Sequence, residues 1–297
     1  MSMLLCFEDE YPLARRAADA AGLDCAVLER HRFPDGELRL RLPQRLSARC
    51  VVWRSLHQPN EKLLELLLVG QAARELGATH LTLVAPYLAY MRQDMAFRTG
   101  EVVSQRIVGR FLASLFDAVI TVDPHLHRVA TLQEAVPVGT AVVLSGAPLL
   151  AELVAAQRRQ PLLIGPDAES RQWVASAAQG HAWDFAVCQK QRHGDHDVQI
   201  ALPERLAVAG REVVLMDDVA SSGRTLVEAA RLLLAQGARS VDVAVTHALF
   251  ADDALQQIRA AGVGEVWSTD CIAHETNAVS IVPALAKALV DLLVNAP

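Results

Sequence analysis

The sequence predicts an α/β protein of two domains, each with a mainly parallel central sheet flanked by helices. Short apolar runs typical of buried strands alternate along the chain with longer segments typical of helices. A helix end, a Gly-Ala pair and an apolar run follow one another twice, at Gly77 and again at Gly237, which indicates a duplicated domain. A chain of 297 residues is also long enough for two domains.

The predicted elements follow this alternation in order. We expect strands over 50–53, 80–85, 118–122, 161–164, 185–189, 213–216, 241–246 and 265–268. We expect helices over 61–76, 104–116, 147–157, 171–178 and 226–236. These elements place an N-terminal domain over 1–142 and a C-terminal domain over 143–278. A last helix within 279–297 is expected to pack back on the N-terminal domain.

Composition and charge exclude several classes of protein. Hydrophobic residues make up 52% of the chain and charged residues 21%, so the chain is neither disordered nor fibrous. The net charge of −6 argues against nucleic-acid binding as the main function, although a local basic cluster can still hold the phosphates of a nucleotide. No apolar run of about twenty residues and no basic, apolar leader occurs, so we expect no membrane span and no signal peptide.

The cysteines indicate a reducing compartment. They are odd in number and scattered singly along the chain, at Cys6, Cys25, Cys50, Cys188 and Cys271. This distribution fits reduced, mostly buried thiols and neither a disulfide framework nor a zinc site. We therefore expect a cytoplasmic protein.

The most informative segment runs from Val213 to Thr225. Its four apolar residues predict a strand that ends in two adjacent carboxylates, Asp217 and Asp218. The turn before the helix at 226–236 holds Ser221, Ser222, Gly223, Arg224 and Thr225. A helix N-terminus directs backbone N–H groups and the positive end of the helix dipole at one point, which suits a phosphate. The carboxylates suit the hydroxyls, or a divalent cation, of the same ligand, so this segment predicts a sugar-phosphate site.

A simpler interpretation of the same segment is a turn with an Asp or Ser cap and no ligand. The chain contains no Walker A loop and no Gly-x-Gly-x-x-Gly, so the common competing phosphate-binding motifs are absent from the sequence.

The segment 32–41 predicts an exposed hairpin. A Pro-Asp-Gly turn precedes a strand in which arginines alternate with leucines. Its simplest role is structural. Its functional interpretation is a loop that presents Phe33 for stacking, and Asp35 and Glu37 for hydrogen bonds.

Two charged groups follow predicted strands, at the edge where parallel α/β sheets bind ligands. The triplet Arg92, Gln93 and Asp94 suits an anionic, amide-rich ligand, although a solvated helix start has the same composition. Lys190 and Arg192 follow the predicted strand at 185–189. Two cations at a strand end are costly to bury, and they suit the stabilisation of a phosphoryl group during transfer.

Two possible metal ligands also follow predicted strands. His125 is a metal or phosphate ligand, or an ordinary hydrogen-bonded histidine. Asp167 either ligates a metal or caps the helix that begins near Ser170. The run 193–197 is rich in His and Asp, but its spacing does not make the side chains converge, so we expect a polar loop there.

The order of these motifs resembles the ribose-phosphate diphosphokinase family, also called phosphoribosyl pyrophosphate synthetase. The loop at Asp217 resembles the phosphoribosyl-diphosphate signature of the phosphoribosyltransferase superfamily. The series comprises Phe33-x-Asp35-Gly36-Glu37, Asn60-x-x-Leu63-x-Glu65-Leu66-Leu67, Pro86-Tyr87-x-x-Tyr90-x-Arg92-Gln93-Asp94, Asp123-x-His125, Pro166-Asp167, Lys190-x-Arg192, the Asp217-Asp218 loop and Thr246-His247-x-Leu249-Phe250. It covers nearly the whole chain.

The resemblance implies two phosphoribosyltransferase-like domains and a specific reaction. The β,γ-diphosphoryl group of ATP would pass to O1 of ribose 5-phosphate, giving phosphoribosyl diphosphate and AMP. It also implies Mg²⁺ and a homo-oligomer in which neighbouring subunits share the ATP site.

The resemblance further assigns roles to the candidate residues. It assigns the ribose phosphate to Asp217, Asp218, Ser221, Ser222, Gly223, Arg224 and Thr225. It assigns ATP to Arg92, Gln93 and Asp94, and the adenine of a neighbouring subunit to Phe33, Asp35 and Glu37. It assigns magnesium to His125 and Asp167, and catalysis to Lys190 and Arg192.

Three residues depart from the family's loop, which usually reads Asp-Asp-x-x-Asp-Thr-Gly-Gly-Thr. Ser221 lacks the third carboxylate, Ser222 keeps a hydroxyl, and Arg224 replaces a glycine. Arg224 is strained if its φ is positive, and otherwise it can donate to an additional phosphate. The alternatives are therefore a diverged diphosphokinase for a related sugar phosphate, a catalytically silent regulatory paralogue and a plain phosphoribosyltransferase.

Overall fold

The computed structural model describes residues 2–192, 198–203 and 206–295. The chain divides into two compact units, one of Met1–Leu144 with Val282–Pro297 and one of Ser145–Ile281. The polar loop expected at 193–197 lies outside the described residues.

The first unit is built around a seven-stranded sheet. Its elements are β1 (Ser2–Phe7), α1 (Tyr11–Ala21), β2 (Asp24–Arg32), β3 (Leu38–Arg41), β4 (Arg49–Trp53), α2 (Pro59–Glu75), β5 (His80–Ala85), α3 (Ser104–Leu115), β6 (Ala118–Val122), α4 (Leu132–Ala135) and β7 (Thr140–Leu144). The strand order is β3-β2-β1-β4-β5-β6-β7. Neighbouring strands are parallel except β2 and β3, which form an antiparallel hairpin.

The core of the first unit lies where one face of this sheet meets helices α2 and α3. Leu5, Val52, Leu83 and Val119 are register neighbours across four strands, and all are fully buried in one hydrophobic cluster. The apolar character of these strands on both faces is typical of a parallel sheet covered by helices on each side.

A glycine sets how closely α3 packs in this unit. A Cβ atom built on Gly109 would lie 1.7 Å from the carbonyl oxygen of Ala135 in α4. No residue larger than glycine fits there without moving the backbone of α4, so this contact fixes the position of α3.

The second unit is built around a six-stranded parallel sheet. Its elements are α5 (Ala147–Gln157), β8 (Leu162–Gly165), α6 (Arg171–Gln179), β9 (Phe185–Val187), β10 (Gln189–Arg192), β11 (Val198–Ala201), β12 (Glu212–Ala220), α7 (Arg224–Ala235), β13 (Ser240–Ala248), α8 (Ala254–Ala260), β14 (Val266–Thr269) and β15 (Asn277–Val279). The strand order is β15-β14-β13-β12-β8-β9, while β10 and β11 form a separate antiparallel pair.

Strand β12 is buried on both faces because its side chains alternate between two clusters. Val213 and Leu215 pack with the residues of α7, whereas Val214 and Met216 pack with those of α5 and α6. All four side chains are fully buried. The period of two places the central strand between two helical layers.

The last helix, α9 (Val282–Asn295), belongs to the first unit. It contacts α1, β6 and β7 on the sheet face opposite to α2 and α3. Arg49 of β4 also donates a hydrogen bond to the carbonyl oxygen of Leu293, at 3.2 Å.

Two predicted boundaries are wrong in ways that matter for the site. The strand predicted at 213–216 extends to Ala220, so Asp217 and Asp218 lie within a strand rather than after it. The strand predicted at 185–189 is two strands, because β9 ends at Val187 and Gln189 begins the hairpin of β10 and β11.

Candidate active site

Two carboxylates of the second unit lie on the part of β12 that extends beyond its neighbour β8. Pairing with β8 ends at Leu215, while pairing with β13 continues to Ala220. Asp217 is therefore covered by a strand on one side only and is partly buried, and Asp218 is 3% exposed. The backbone N–H of Asp218 donates to Oδ1 of Asp217 at 3.0 Å.

The negative charges around Asp217 are unfavourable for the protein without a bound ligand. Burial, reinforced by the negative charges of Asp218 and Asp167, raises the pKa of Asp217 well above the ordinary value of an aspartate. A cation or a set of hydroxyl donors would relieve this repulsion, so the three carboxylates fit an oxygen-coordinated divalent cation or a sugar.

Asp167 follows β8 and caps the helical turn after it. Its Oδ1 accepts a hydrogen bond from the backbone N–H of Glu169 at 3.0 Å, and Ser170 Oγ donates to its carbonyl oxygen at 2.6 Å. The capping role expected as an alternative is thus present. It leaves the charge of Asp167 close enough to contribute to the raised pKa of Asp217.

The turn between β12 and α7 has the geometry of a phosphate site. Gly223 adopts a φ of +70°, and α7 begins directly after it at Arg224. No side chain in the described part of the chain caps this N-terminus, so its first N–H groups point outward without a capping partner. The backbone before the turn, at the end of β12, is held in place because the N–H of Phe250 donates to the carbonyl oxygen of Ala220 at 2.9 Å.

The side chains of this turn are accessible to a ligand. Ser222 and Arg224 are exposed, and Ser221 and Thr225 are partly buried. Arg224 is not among the residues with positive φ, so the strain considered from the sequence does not occur there. Arg224 also forms no ion pair with any residue that the structure describes.

Lys190 and Arg192 lie on β10, which pairs with β11 at Lys190–Ile200 and Arg192–Val198. Both therefore belong to a two-stranded hairpin separate from the main sheet of the second unit. Their side chains lie outside the described part of the structure.

In the first unit, the triplet at 92–94 lies in an irregular segment between β5 and α3. The helix start that the composition also allowed is therefore wrong. Arg92 is exposed, while Asp94 is 6% exposed and pairs with Arg128 through an Oδ1–Nη1 contact of 2.6 Å. The side-chain amide of Gln93 donates to the carbonyl oxygen of Met95 at 3.0 Å.

His125 follows β6 and lies against a second histidine. The rings of His125 and His127 are 3.8 Å apart between centroids and nearly perpendicular, and their Nε2 atoms face each other. Two imidazole nitrogens that converge in this way share a proton or bind one cation. His125 was identified as a candidate from the sequence, whereas His127 was given no role.

The hairpin of β2 and β3 presents the third group of predicted residues. Phe33 is 38% exposed, and its N–H donates to the carbonyl oxygen of Glu37 at 2.8 Å. Asp35 Oδ1 accepts from the N–H of Glu37 at 3.2 Å, which closes the turn. The predicted hairpin is confirmed by the antiparallel pairing of β2 with β3.

The hairpin lies apart from the other two predicted groups of the first unit. Strands β1 and β4 separate β2 from β5, which places the hairpin about three strand spacings, or roughly 14 Å, from the strand that precedes the 92–94 triplet. The triplet and His125 follow the neighbouring strands β5 and β6.

Comparison with known proteins matches two domains along the chain. Residues 2–115 match the N-terminal domain of ribose phosphate pyrophosphokinase, and residues 139–265 match the phosphoribosyl transferase domain. A ribose-phosphate pyrophosphokinase of Methanopyrus kandleri is 36% identical over 294 residues, which cover 98% of this chain and 99% of the relative.

The chain belongs to the ribose-phosphate pyrophosphokinase family. A second relative of that name, from Methanosarcina mazei, is 34% identical over 93% of this chain and 91% of its own length. The fold matches the crystal structure of phosphoribosylpyrophosphate synthetase from Mycobacterium smegmatis, with a TM-score of 0.85 over 99% of both chains at 23% identity. The predicted family and fold class are thereby confirmed. Among the described helices, none is both long and apolar enough to span a membrane.

Proposed function

We propose that this protein transfers the diphosphoryl group of ATP to O1 of ribose 5-phosphate. The O1 hydroxyl attacks the β-phosphorus, the bond from that phosphorus to the α,β-bridging oxygen breaks, and the products are phosphoribosyl diphosphate and AMP. The observation that carries the proposal is the match, over nearly the full length of both chains, to relatives named ribose-phosphate pyrophosphokinase. The segment 217–225 supplies the acceptor half of such a site.

The acceptor is assigned to the second unit. The carboxylates of Asp217 and Asp218 accept hydrogen bonds from the ribose hydroxyls. The 5-phosphate lies at the N-terminus of α7, where the N–H groups from Ser221 to Thr225 and the helix dipole stabilise its negative charge. The Ser222 hydroxyl and the Arg224 guanidinium add donors at the exposed rim, with Ser221 and Gly223 completing the turn.

The carboxylates also fit the magnesium ion that we propose as cofactor. Mg²⁺ prefers oxygen ligands, and the burial of Asp217 beside the negative charges of Asp218 and Asp167, which raises its pKa, supports a cation at this place. When bound, the ion would neutralise phosphate charge. His125 is proposed as the corresponding ligand in the first unit, supported by the imidazole that faces it.

The donor is assigned to the first unit. The exposed guanidinium of Arg92 binds the phosphates of ATP, and the segment containing Gln93 and Asp94 shapes the site around it. Phosphoryl transfer needs mainly positioning and neutralisation of charge, so an exposed arginine beside an Asp94 held by Arg128 suits the reaction. Lys190 and Arg192 are proposed as the cations that stabilise the transferring group.

The adenine ring is assigned to the hairpin of a neighbouring subunit. Phe33, Asp35 and Glu37 lie on a hairpin remote from β5 in the same chain, and the half-exposed Phe33 ring is accessible for stacking. The proposal therefore includes a homo-oligomer that shares its ATP sites. The five cysteines are free thiols, which supports the expected cytoplasmic location.

An assay of AMP release with ATP, Mg²⁺ and ribose 5-phosphate tests the proposal. We expect AMP formation that requires all three components and saturates with ribose 5-phosphate. Folded protein that releases no AMP above background would contradict the proposal and favour a regulatory role.

A second candidate function is transfer to a related sugar phosphate. The exposed guanidinium of Arg224, which forms no ion pair with any described residue, favours it, because this cation would stabilise an additional acidic group on the acceptor. A panel of pentose and hexose phosphates in the same assay distinguishes the two: a higher kcat/KM for a substrate other than ribose 5-phosphate would support this candidate.

A further inference from the structure

Gln105 is a buried polar residue that the proposed reaction leaves without a role. It is the second residue of α3 and is 1% exposed. Its position is fixed, because Gly109 on the next turn packs directly against the backbone of α4. A fully buried glutamine on a fixed helix has few places to direct its amide group, so its hydrogen bonds indicate its role.

Gln105 holds the backbone on both sides of Arg92. Its side-chain Nε2 donates to the carbonyl oxygen of Met91 at 3.1 Å. Its backbone N–H donates to the carbonyl oxygen of Gln93 at 3.2 Å. One residue of α3 thus holds the Met91–Arg92 peptide unit before Arg92 and the Gln93–Asp94 peptide unit one residue after it.

The other residues around Arg92 are also held in place. Met91 is 1% exposed within the hydrophobic core, and Asp94 is held by Arg128. The residue before Met91, Tyr90, has a φ of +63°, a conformation that non-glycine residues adopt only when their surroundings impose it. Arg92 is the exposed residue between these anchors, and it makes no hydrogen bond or ion pair with a described residue.

The side-chain amide of Gln105 contributes little to the free energy of folding. Its Oε1 is buried and accepts no hydrogen bond from any described residue. A buried acceptor without a donor is unfavourable, and an apolar side chain of the same length would remove that penalty. The gain from the Nε2 bond and the penalty at Oε1 oppose each other, so the net effect of the amide on folding is small.

We infer that Gln105 is a positioning residue that orients Arg92 toward the phosphates of ATP. The inference rests on the proposed function of Arg92 as an ATP ligand. Because the bond goes to the Met91 carbonyl, Gln105 acts through the backbone and does not itself contact the nucleotide. Loss of the side-chain amide would let the Met91–Arg92 peptide unit rotate and would disperse the guanidinium over several positions.

The test compares Gln105→Met with the wild type. We expect KM for ATP to rise about 3- to 10-fold, the effect of losing one neutral hydrogen bond. KM for ribose 5-phosphate and kcat should stay within about 2-fold, and Tm within about 4 °C. Gln133→Met is the matched control, since Gln133 also donates its amide to a backbone carbonyl, that of Gly139 at 3.4 Å, but on the exposed surface of α4. It should change neither KM.

A second measurement tests whether the effect passes through Arg92. Binding of a non-hydrolysable ATP analogue is measured by calorimetry for Gln105→Met, Arg92→Ala and the double variant. If Gln105 acts through Arg92, the double variant binds no more weakly than Arg92→Ala alone. Additive losses would overturn the inference, as would an unchanged KM for ATP or a parallel rise of both KM values with a large fall in Tm.

Two further outcomes are also decisive. Gln105→Asn keeps an amide group, but its side chain is too short to reach Met91. This variant replaces Gln105→Met if Gln105→Met does not fold. If neither variant folds, Gln105 is a core residue and the inference is wrong. A wild-type protein that binds the ATP analogue but releases no AMP would contradict the proposed reaction, while the calorimetric comparison would still decide the role of Gln105.

Discussion

Replacement of Asp217 by Asn should stabilise the metal-free protein and at the same time remove its activity. Asp217 is partly buried beside Asp218 and Asp167, and burial together with these charges raises its pKa. Asn keeps an Oδ1 oxygen that accepts the N–H of Asp218, which in the wild type donates to Asp217 at 3.0 Å. The substitution therefore removes the negative charge while preserving the local backbone contact.

The expected gain follows from the charge that is removed. Two like charges about 5 Å apart repel by roughly 3 kcal/mol at an effective dielectric constant of 20. Partial solvation of Asp217 reduces this value, so we expect a stabilisation of about 1–3 kcal/mol at pH 8. For a chain of 297 residues that corresponds to an increase in Tm of about 2–5 °C.

The pH dependence has a defined sign. A carboxyl whose pKa is raised in the folded state holds its proton more tightly there than in the unfolded chain. The penalty is absent below about pH 4, the ordinary pKa of Asp, and grows as the pH rises through the raised value. The difference in Tm between Asp217→Asn and wild type should therefore be largest at pH 8 and shrink as the pH falls toward 4.

Thermal melts in EDTA measure this difference. Glu228→Gln is the control, because Glu228 is an exposed carboxylate on α7 of the same unit. Adding MgCl₂ should raise the Tm of the wild type and have less effect on Asp217→Asn. A variant no more stable than the wild type in EDTA at pH 8 would refute the reasoning about charge repulsion.

Three further predictions concern single cations. Lys190→Ala should lower kcat by about 100-fold or more while leaving Tm unchanged, as expected for a group that stabilises charge during transfer. A fall in Tm without a kinetic defect would contradict that role. Arg224→Ala should raise KM for ribose 5-phosphate by about 3- to 10-fold at low salt. The rise should be smaller at 1 M salt, because ions screen an exposed charge. Equal effects at both salt concentrations would exclude an electrostatic contribution. Arg54→Met should destabilise the first unit by about 3 kcal/mol, because it leaves the buried Glu65, 2.6 Å from Arg54, with one fewer cation. Arg15→Met, which breaks an exposed pair, should leave the melting curve unchanged.

The fold was largely predictable because its strands are apolar on both faces. The predicted strands 80–85 and 118–122 have the observed bounds, as does the predicted helix 147–157. Strand β1 was missed, although Leu4 and Leu5 are fully buried. Its apolar run, residues 3–7, is at least as long as the run at 213–216 that predicted β12, so the sequence carries the signal of this strand as well.

The site was predictable in its parts and not in its arrangement. The segment 213–236 has the expected order of strand, turn and helix, because glycine at 223 and a helix N-terminus are local features, although β12 runs on to Ala220 and α7 begins already at Arg224. The extent of β12 was not predictable, since residues 217–220 are strand only because β13 continues beside them. Pairing of this kind depends on a partner distant in the sequence.

The contacts that support the site could not be predicted from the sequence, for a related reason. Gln105 and Arg128 have ordinary positions in the chain, and only the folded structure brings them to Met91 and Asp94. No spacing or motif distinguishes a glutamine that fixes a loop from one that faces solvent. Such residues become apparent from burial and from hydrogen bonds to backbone carbonyls.

Phosphorus NMR of a single reaction mixture tests the central claim most directly. The wild-type protein is incubated with ATP, MgCl₂ and ribose 5-phosphate, and the phosphorus signals are followed over time. The proposed transfer predicts AMP and phosphoribosyl diphosphate in equal amounts, with no ADP. Formation of ADP with a singly phosphorylated C1 product, or no change in the ATP signals, would contradict it.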